Sequence, residues 1–355
     1  MLIALACAAL MAGCGASSPI IFGSVTDFVR RSRDCVLSDG RQGRCMYASS
    51  CPALTGPDLP DCVKPCGMVQ HELRICCPVE AAPSASTTRP APPRTCGLAG
   101  NTGSLARNIA FGRPSLQGHW PWMALLGWKD SSGRLQWRCG GALIGRRHVL
   151  TAAHCVERAG GQLVVRVGEH DLTRTSDGRH QDLAVARAAV PPGRRGHHDD
   201  IAVLTLTEPA RLAEHVRPVC LPSSTGDDPS VGDDVVVAGW GRVEYSEPAS
   251  DLLREAVQQV RRTDQCERAY REVPGFEDLY PGGFGASKIC AMDTTGGHQD
   301  SCRGDSGGPL VARAADGTYT AVGVVSLGMG CGNPDFASLY TRVSSYLHWI
   351  QKQMA

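Results

Sequence analysis

Beyond Cys96 the apolar residues come in short, closely punctuated runs: Leu135 to Trp137, Ala142 to Ile144, Leu163 to Val167, Val235 to Ala238, Ala321 to Val325 and Leu339 to Val343. Glycines and polar turns separate them, and no strand-helix alternation is visible. This pattern predicts an antiparallel, mainly β fold. The end of the chain is different. Val343, Tyr346, Leu347, Ile350 and Met354 fall on one face of a 3.6-residue period and predict a terminal helix packed on a barrel. No internal repeat of fixed period occurs.

Before Cys96 the patterning is lost. Seven cysteines lie between Cys35 and Cys77, with Gly and Pro throughout and few aliphatic residues, so this segment must be stapled by disulfides. Pro78 to Thr95 is Pro, Ala, Ser and Thr without periodicity, an extended linker between two domains. Met1 to Ala16 is apolar and small, ending in Cys14-Gly15-Ala16 as a signal peptide with its cleavage site would. No Lys or Arg precedes its apolar run, however, and Leu10-Met11-Ala12-Gly13-Cys14 also fits a bacterial lipoprotein cleavage site. No later apolar stretch reaches membrane length.

Composition sharpens this picture. The 355 residues suggest two or three globular units at roughly 150 residues each. Thirty-six basic against 35 acidic side chains leave a formal charge of +1, so no global field draws the chain to nucleic acid or an anionic membrane. Seventeen cysteines without metal-type pair spacing point to an oxidising, extracellular compartment.

Candidate chemistry centres on Gly304-Asp305-Ser306-Gly307-Gly308-Pro309, where one serine sits among residues small enough for a sharp turn and close substrate approach. A serine hydroxyl needs a neighbouring base. His154, in Leu150-Thr151-Ala152-Ala153-His154-Cys155, is the candidate base, and Asp200, heading Asp200-Ile201-Ala202-Val203-Leu204, the candidate orienting acid, with Asp199 as its competitor. His197-His198-Asp199-Asp200 suggests metal ligands, but adjacent strand residues point to opposite faces and no metal is expected. The spacing of Gly304, Ser306 and Gly308 also satisfies a nucleophile elbow, with Asp335 and His348 following in α/β-hydrolase order. Against that reading, Pro309 and a further β-like run follow the serine where an elbow needs a helix.

The three strings, in the order His, Asp, Ser, resemble the trypsin-like serine proteases of chymotrypsin fold, from about Ile109 to the C-terminus. The resemblance implies a double β-barrel with a C-terminal helix, and a triad of Ser306, His154 and Asp200, the last because it abuts the Ile-Ala-Val-Leu run as the family acid does. It also implies an oxyanion hole at the amides of Gly304 and Ser306. Asp300 would sit at the base of an Arg/Lys-binding pocket, with Ser326, Gly328 and Ser338 also binding substrate. Two positions depart from the pattern: Leu327 stands where a Trp is expected, and Ser338 where a pocket-lining Gly is expected. Implied disulfides join Cys139 to Cys155, Cys266 to Cys290, Cys302 to Cys331 and Cys96 to Cys220.

The doublet Cys76-Cys77 and the spacing of Cys35, Cys45, Cys51 and Cys66 resemble the clip domain of arthropod clip-domain serine proteases, which implies pairing of 35 with 76, 45 with 66 and 51 with 77. Cys62 is then the odd cysteine, free, linked to another molecule, or exchanging with Cys66. The expected organisation is a signal peptide (1–16), an N-terminal segment (17–34), the clip domain (35–77), a linker and activation region (78–108) and the protease domain (109–355). Family activation implies a new α-amino group at Ile109 that pairs with Asp305, yet the residue before the cut is Asn108, where relatives usually have Arg or Lys. The resemblance further implies a secreted zymogen in an arthropod haemolymph cascade, with protein substrates, an upstream activating protease and serpin inhibitors. A non-catalytic clip-domain homologue acting as a binding cofactor is the alternative. No cofactor is expected, though Glu169, Asp171 and Asp177 share one loop and form a candidate calcium site.

Overall fold

Short segments rich in Val, Leu and Ala pair antiparallel throughout the chain, because each offers a sheet one apolar face and is stopped by a turn before it can pass the core. The computed structural model describes residues 34–36, 42–47, 65–69, 72–78, 95–100, 113–157, 161–174, 180–194, 196–242, 248–294, 304–328, 333 and 335–355. The chain divides into two units, Met1–Ala91 and Pro92–Ala355.

In the first unit, β1 (Asp34–Val36), β2 (Gln42–Tyr47), β3 (Pro65–Val69) and β4 (Glu72–Pro78) form one sheet in the order β1-β2-β4-β3. Cys45 lies opposite Cys76 across the β2–β4 ladder. Ile75, Cys76 and Cys77 are buried, and both of these cysteines are disulfide-bonded. Cys51 and Cys62 lie outside the described residues, as do the side chains of Cys35, Cys45 and Cys66.

In the second unit, β5 (Arg113–Pro114) precedes a closed barrel of β6 (Met123–Lys129), β7 (Leu135–Gly145), β8 (His148–Thr151), β9 (Gln162–Val167), β10 (Gln181–Ala189) and β11 (Ala202–Leu206). The runs at Leu135 and Ala142 are one strand, since Cys139-Gly140-Gly141 carries the extended backbone between them. Trp122, Leu126, Leu143, Leu150, Ile201 and Leu204 fill this barrel. A second barrel comprises β12 (Asp234–Gly239), β13 (Arg254–Arg261), β14 (Lys288–Met292), β15 (Pro309–Arg313), β16 (Tyr319–Leu327) and β17 (Ser338–Arg342). It closes through the pairing of β12 with β13, while β5 adds to the edge of β13. Val235, Val237, Ile289, Leu310, Val322 and Tyr340 are its core.

The helices are few. A short α1 (His154–Glu157) follows β8, and α2 (Thr263–Arg271) and α3 (Phe276–Leu279) separate β13 from β14. Neither α2 nor α3 is visible in the apolar pattern, because α2 buries only Cys266 and Tyr270, four residues apart on an otherwise polar helix. The terminal helix opens with a 3-10 turn, Val343–Tyr346, and continues as α4 (Leu347–Met354). Its Ile350 is buried against the first barrel, and Arg187 of β10 grips Gln353 through two hydrogen bonds.

Candidate active site

Two ends of neighbouring strands bring His154 and Asp200 together. Ala202 of β11 pairs with Thr151 of β8, so the residue two before the first and the residue three after the second emerge at the same barrel mouth. Asp200 is fully buried. Its Oδ1 accepts from the His154 backbone N–H at 2.9 Å and from Arg194 Nη2 at 3.2 Å. Its Oδ2 accepts from Ser326 Oγ at 2.6 Å and contacts His154 Nδ1 at 2.8 Å. Burial alone would push the pKa of this carboxyl group up. The hydrogen bonds from His154 and His197 and the charges of His154 and Lys288 overcome it, holding Asp200 well below the usual carboxylate range. The imidazole of His154 itself is 24% exposed.

The backbone of Ser306 approaches α1 from the second barrel. The loop leading into β15 turns at Gly304 (φ 110°) and Gly307 (φ 82°), conformations open to glycine and strained for other residues. A Cβ on Gly304 would press on Gly241 Cα, and one on Gly307 would collide with Thr151 Oγ1 and Gly140 O. The loop therefore lies directly against β7 and β8. The Ser306 carbonyl accepts from the Gly140 N–H at 2.8 Å and lies 3.5 Å from Cys155 Sγ, one residue beyond His154. Gly307 donates its N–H to Val325 O at 2.9 Å, which ties the turn to β16 beside Ser326.

Asp305 is buried, and its Oδ1 accepts from the Gly241 N–H at 2.8 Å. Gly239 and Gly241 flank this carboxylate so tightly that a Cβ on either would collide with it. Their role was not read from sequence, although two glycines around Trp240 in so apolar a stretch were the available signal. Ser326, expected to bind substrate, is buried with its hydroxyl turned inward to Asp200. Ser338 is buried in β17, Gly328 is exposed just after β16, and Leu327 packs on the aromatic cluster of Tyr270, Phe276, Tyr280 and Phe284. Asp300, Asn108, Ile109, Asp177, Cys302 and Cys331 lie outside the described residues.

Among the described residues, three disulfides fix the frame of this unit: Cys139 to Cys155, Cys266 to Cys290 and Cys96 to Cys220. The loop acids are already engaged. Glu169 accepts from His170 N and Arg166 and contacts His180, while Asp171 accepts from Thr173 and pairs with Arg174. Asp177, the third of these acids, lies outside the described residues. His154, His197 and Asp200 offer ligand atoms within 4.8 Å of one another. The cations Arg194 and Lys288 beside Asp200 make that cluster unsuited to a divalent ion. Both cations escaped the sequence reading, since each stands in an ordinary polar or strand-edge context.

A family model described as Trypsin matches residues 109–350. The chain belongs to the trypsin family. It is a serine endopeptidase, and the α/β-hydrolase alternative falls with the parallel sheet it would need. This trypsin-family chain is 40% identical over 248 residues to a venom protease of Bombus pensylvanicus, covering 67% of the chain and 96% of that protein. It is 32% identical to the proclotting enzyme of Tachypleus tridentatus, covering 81% and 80%. Against the CLIP domain-containing serine protease B4 of Anopheles gambiae it is 30% identical, covering 90% and 91%. The solved structure of neuropsin, a serine protease expressed in the limbic system of mouse brain, superposes with a TM-score of 0.56 at 33% identity, covering 69% of this chain and 99% of that one. The trypsin-family unit contains, among the described residues, no helix long and apolar enough to cross a membrane.

Proposed function

We propose that the chain is the secreted zymogen of an endopeptidase that cleaves proteins after Arg or Lys by a Ser306–His154–Asp200 triad. Ser306 Oγ attacks the scissile carbonyl as its proton passes to His154 Nε2. Collapse of the tetrahedral intermediate breaks the C–N bond, and the same proton leaves with the amine. Water then repeats the sequence on the acyl-enzyme. Asp200 keeps the proton of neutral His154 on Nδ1. The amides of Gly304 and Ser306 stabilise the oxyanion, each donor worth about 3 kcal/mol in the transition state. The observation that carries this reading is the 2.8 Å contact of His154 Nδ1 with a fully buried carboxylate, at the point where the Ser306 loop packs on β7 and β8.

Asp300 supplies the charge partner for a substrate Arg or Lys, with Ser338 narrowing the pocket wall. Activation creates an amine at Ile109 that pairs with Asp305, whose carboxylate is buried and accepts from the Gly241 N–H. Relatives named proclotting enzyme and CLIP domain-containing protease support a place in an arthropod haemolymph cascade. The natural substrates are then other zymogens, the activator is an upstream protease and the inhibitors are serpins. Buried disulfides support an extracellular site of action. The test is hydrolysis of matched Arg, Lys, Phe and Leu peptides by the processed chain. Cleavage after Arg or Lys supports the reading, and a preference for Phe or Leu overturns its specificity.

A further inference from the structure

Lys288 opens β14 and is fully buried. It pairs with Thr341 across the β14–β17 ladder, and its Nζ donates to Thr341 Oγ1 at 2.9 Å. The same Nζ reaches Ser326 Oγ at 3.5 Å and stands 5.6 Å from the centre of the Tyr280 ring. Two hydroxyls and a ring face do not neutralise an ammonium taken out of water. The nearest anion along its contacts is Asp200, one hydroxyl away. Ser326 occupies an irregularity in β16, where the register with β17 shifts between Val325 and Leu327, and this turns its side chain towards Asp200.

The direction of the chain of contacts follows from hydrogen counting. An ammonium only donates, so Ser326 meets it as acceptor and sends its single hydrogen to Asp200 Oδ2 at 2.6 Å. His154 Nδ1 meets the same oxygen from the other side. Arg194 touches Oδ1 through Nη2 and pairs through Nη1 with Glu157 of α1, so it has an anion besides Asp200. Asp199 accepts from Tyr346 and contacts His198, and His197 Nδ1 stands 3.5 Å from Asp200 Oδ2. Lys288 is thus the buried cation behind the pair that lacks an anion of its own.

We propose that Lys288 is a positioning residue for hydrolysis: through Ser326 it holds Asp200 ionised and fixed against His154, and its charge sets how acidic the medium can become before activity fails. The proposal rests on the triad reading above. A positive charge behind the pair opposes uptake of a second proton by the imidazole, so its removal lets that proton bind at higher pH. Burial brings the Lys288 ammonium down to about 8, against the opposing pull of Asp200 and Asp199 and with the help of Arg194. It therefore carries its charge through the range in which the acid limb is measured.

The test compares the processed full chain with Lys288→Met and Lys288→Gln, following kcat/KM against pH on a peptide the enzyme cleaves. Both variants should move the acid half-maximum up by about 0.5 to 1.5 pH units, with KM changed less than about twofold. A folded variant whose acid limb stays within about 0.2 unit of wild type, or moves down, overturns the proposal. So does a Gln variant that keeps the wild-type limb, since charge would then be irrelevant. Should neither variant fold, the Nδ1 proton resonance of His154 in the wild type decides: it should shift as Lys288 loses its proton near pH 8, and no step there refutes the coupling. A fluorophosphonate keeps the two readings apart. Failure to label Ser306 in the wild type sinks the triad, whereas labelling with an unshifted acid limb sinks only the role of Lys288.

Discussion

Replacing Asp200 by Asn tests the geometry of the site more sharply than deletion does, because the structure dictates which way the new amide must point. The Oδ1 side faces two groups that can only donate, the His154 backbone N–H at 2.9 Å and Arg194 Nη2 at 3.2 Å. The Oδ2 side faces groups that can adapt, the Ser326 hydroxyl at 2.6 Å, His154 Nδ1 at 2.8 Å and His197 Nδ1 at 3.5 Å. The amide oxygen must therefore take the Oδ1 position and the NH₂ the Oδ2 position. Facing a donor, His154 Nδ1 becomes an acceptor, its proton moves to Nε2, and Nε2 can no longer take the proton of Ser306. The expected loss in kcat is about 10⁴-fold, or about 5.5 kcal/mol, the cost of the wrong tautomer in enzymes of this family. KM should change little.

Stability must be measured alongside, since losing the anion leaves Arg194 and Lys288 with one partner fewer and costs on the order of 3 kcal/mol. The pH dependence gives an internal check. Asp200 is held below its unfolded value, so its contribution is full above about pH 4 and is lost as pH falls through the lower folded value. The Asn variant should lack that step. Denaturant melts between pH 2 and 7 and steady-state kinetics on folded, processed protein separate the two effects. A folded variant within about tenfold of wild-type kcat would refute the tautomer argument.

Three further outcomes are expected. Asp300→Ser should cut turnover of Arg peptides far more than that of apolar ones, and an equal loss on both would remove Asp300 from the pocket. Cutting after Arg107 leaves Asn108 as a polar terminus whose burial costs about 1 to 3 kcal/mol, so trypsin should activate Asn108→Arg but not the wild type. N-terminal sequencing with an activity assay checks this, and full wild-type activity from an Asn108 terminus would contradict it. Gly307→Ala drives a Cβ towards Thr151 and Gly140 at positive φ, so it should lower stability by about 2 kcal/mol or more in denaturant melts, and a change under about 0.5 kcal/mol would mean the loop packs otherwise.

The strands were legible because their cores come in short β-branched runs, and the contact between His154 and Asp200 because each stands in an extended string. What escaped notice depends on contacts far apart in sequence. Lys288 reads as the polar start of an apolar run until Thr341 and Ser326 close around it, 53 and 38 residues later. Arg194 lies in a polar loop and gains meaning only from Glu157 and Asp200. Gly239 and Gly241 look like turn residues, yet their smallness serves a carboxylate 64 residues beyond the second of them. The helix α2 stayed hidden for a related reason, since two buried positions make too narrow a stripe to register as a period.

The most direct test of the triad is a double-mutant cycle on Ser306 and His154 in the processed enzyme, read as kcat on a single peptide. If the two act as one unit, Ser306→Ala and His154→Ala each abolish measurable turnover and the double variant is no worse than either, while all three fold as wild type does. Wild-type turnover in folded, processed Ser306→Ala would contradict the account.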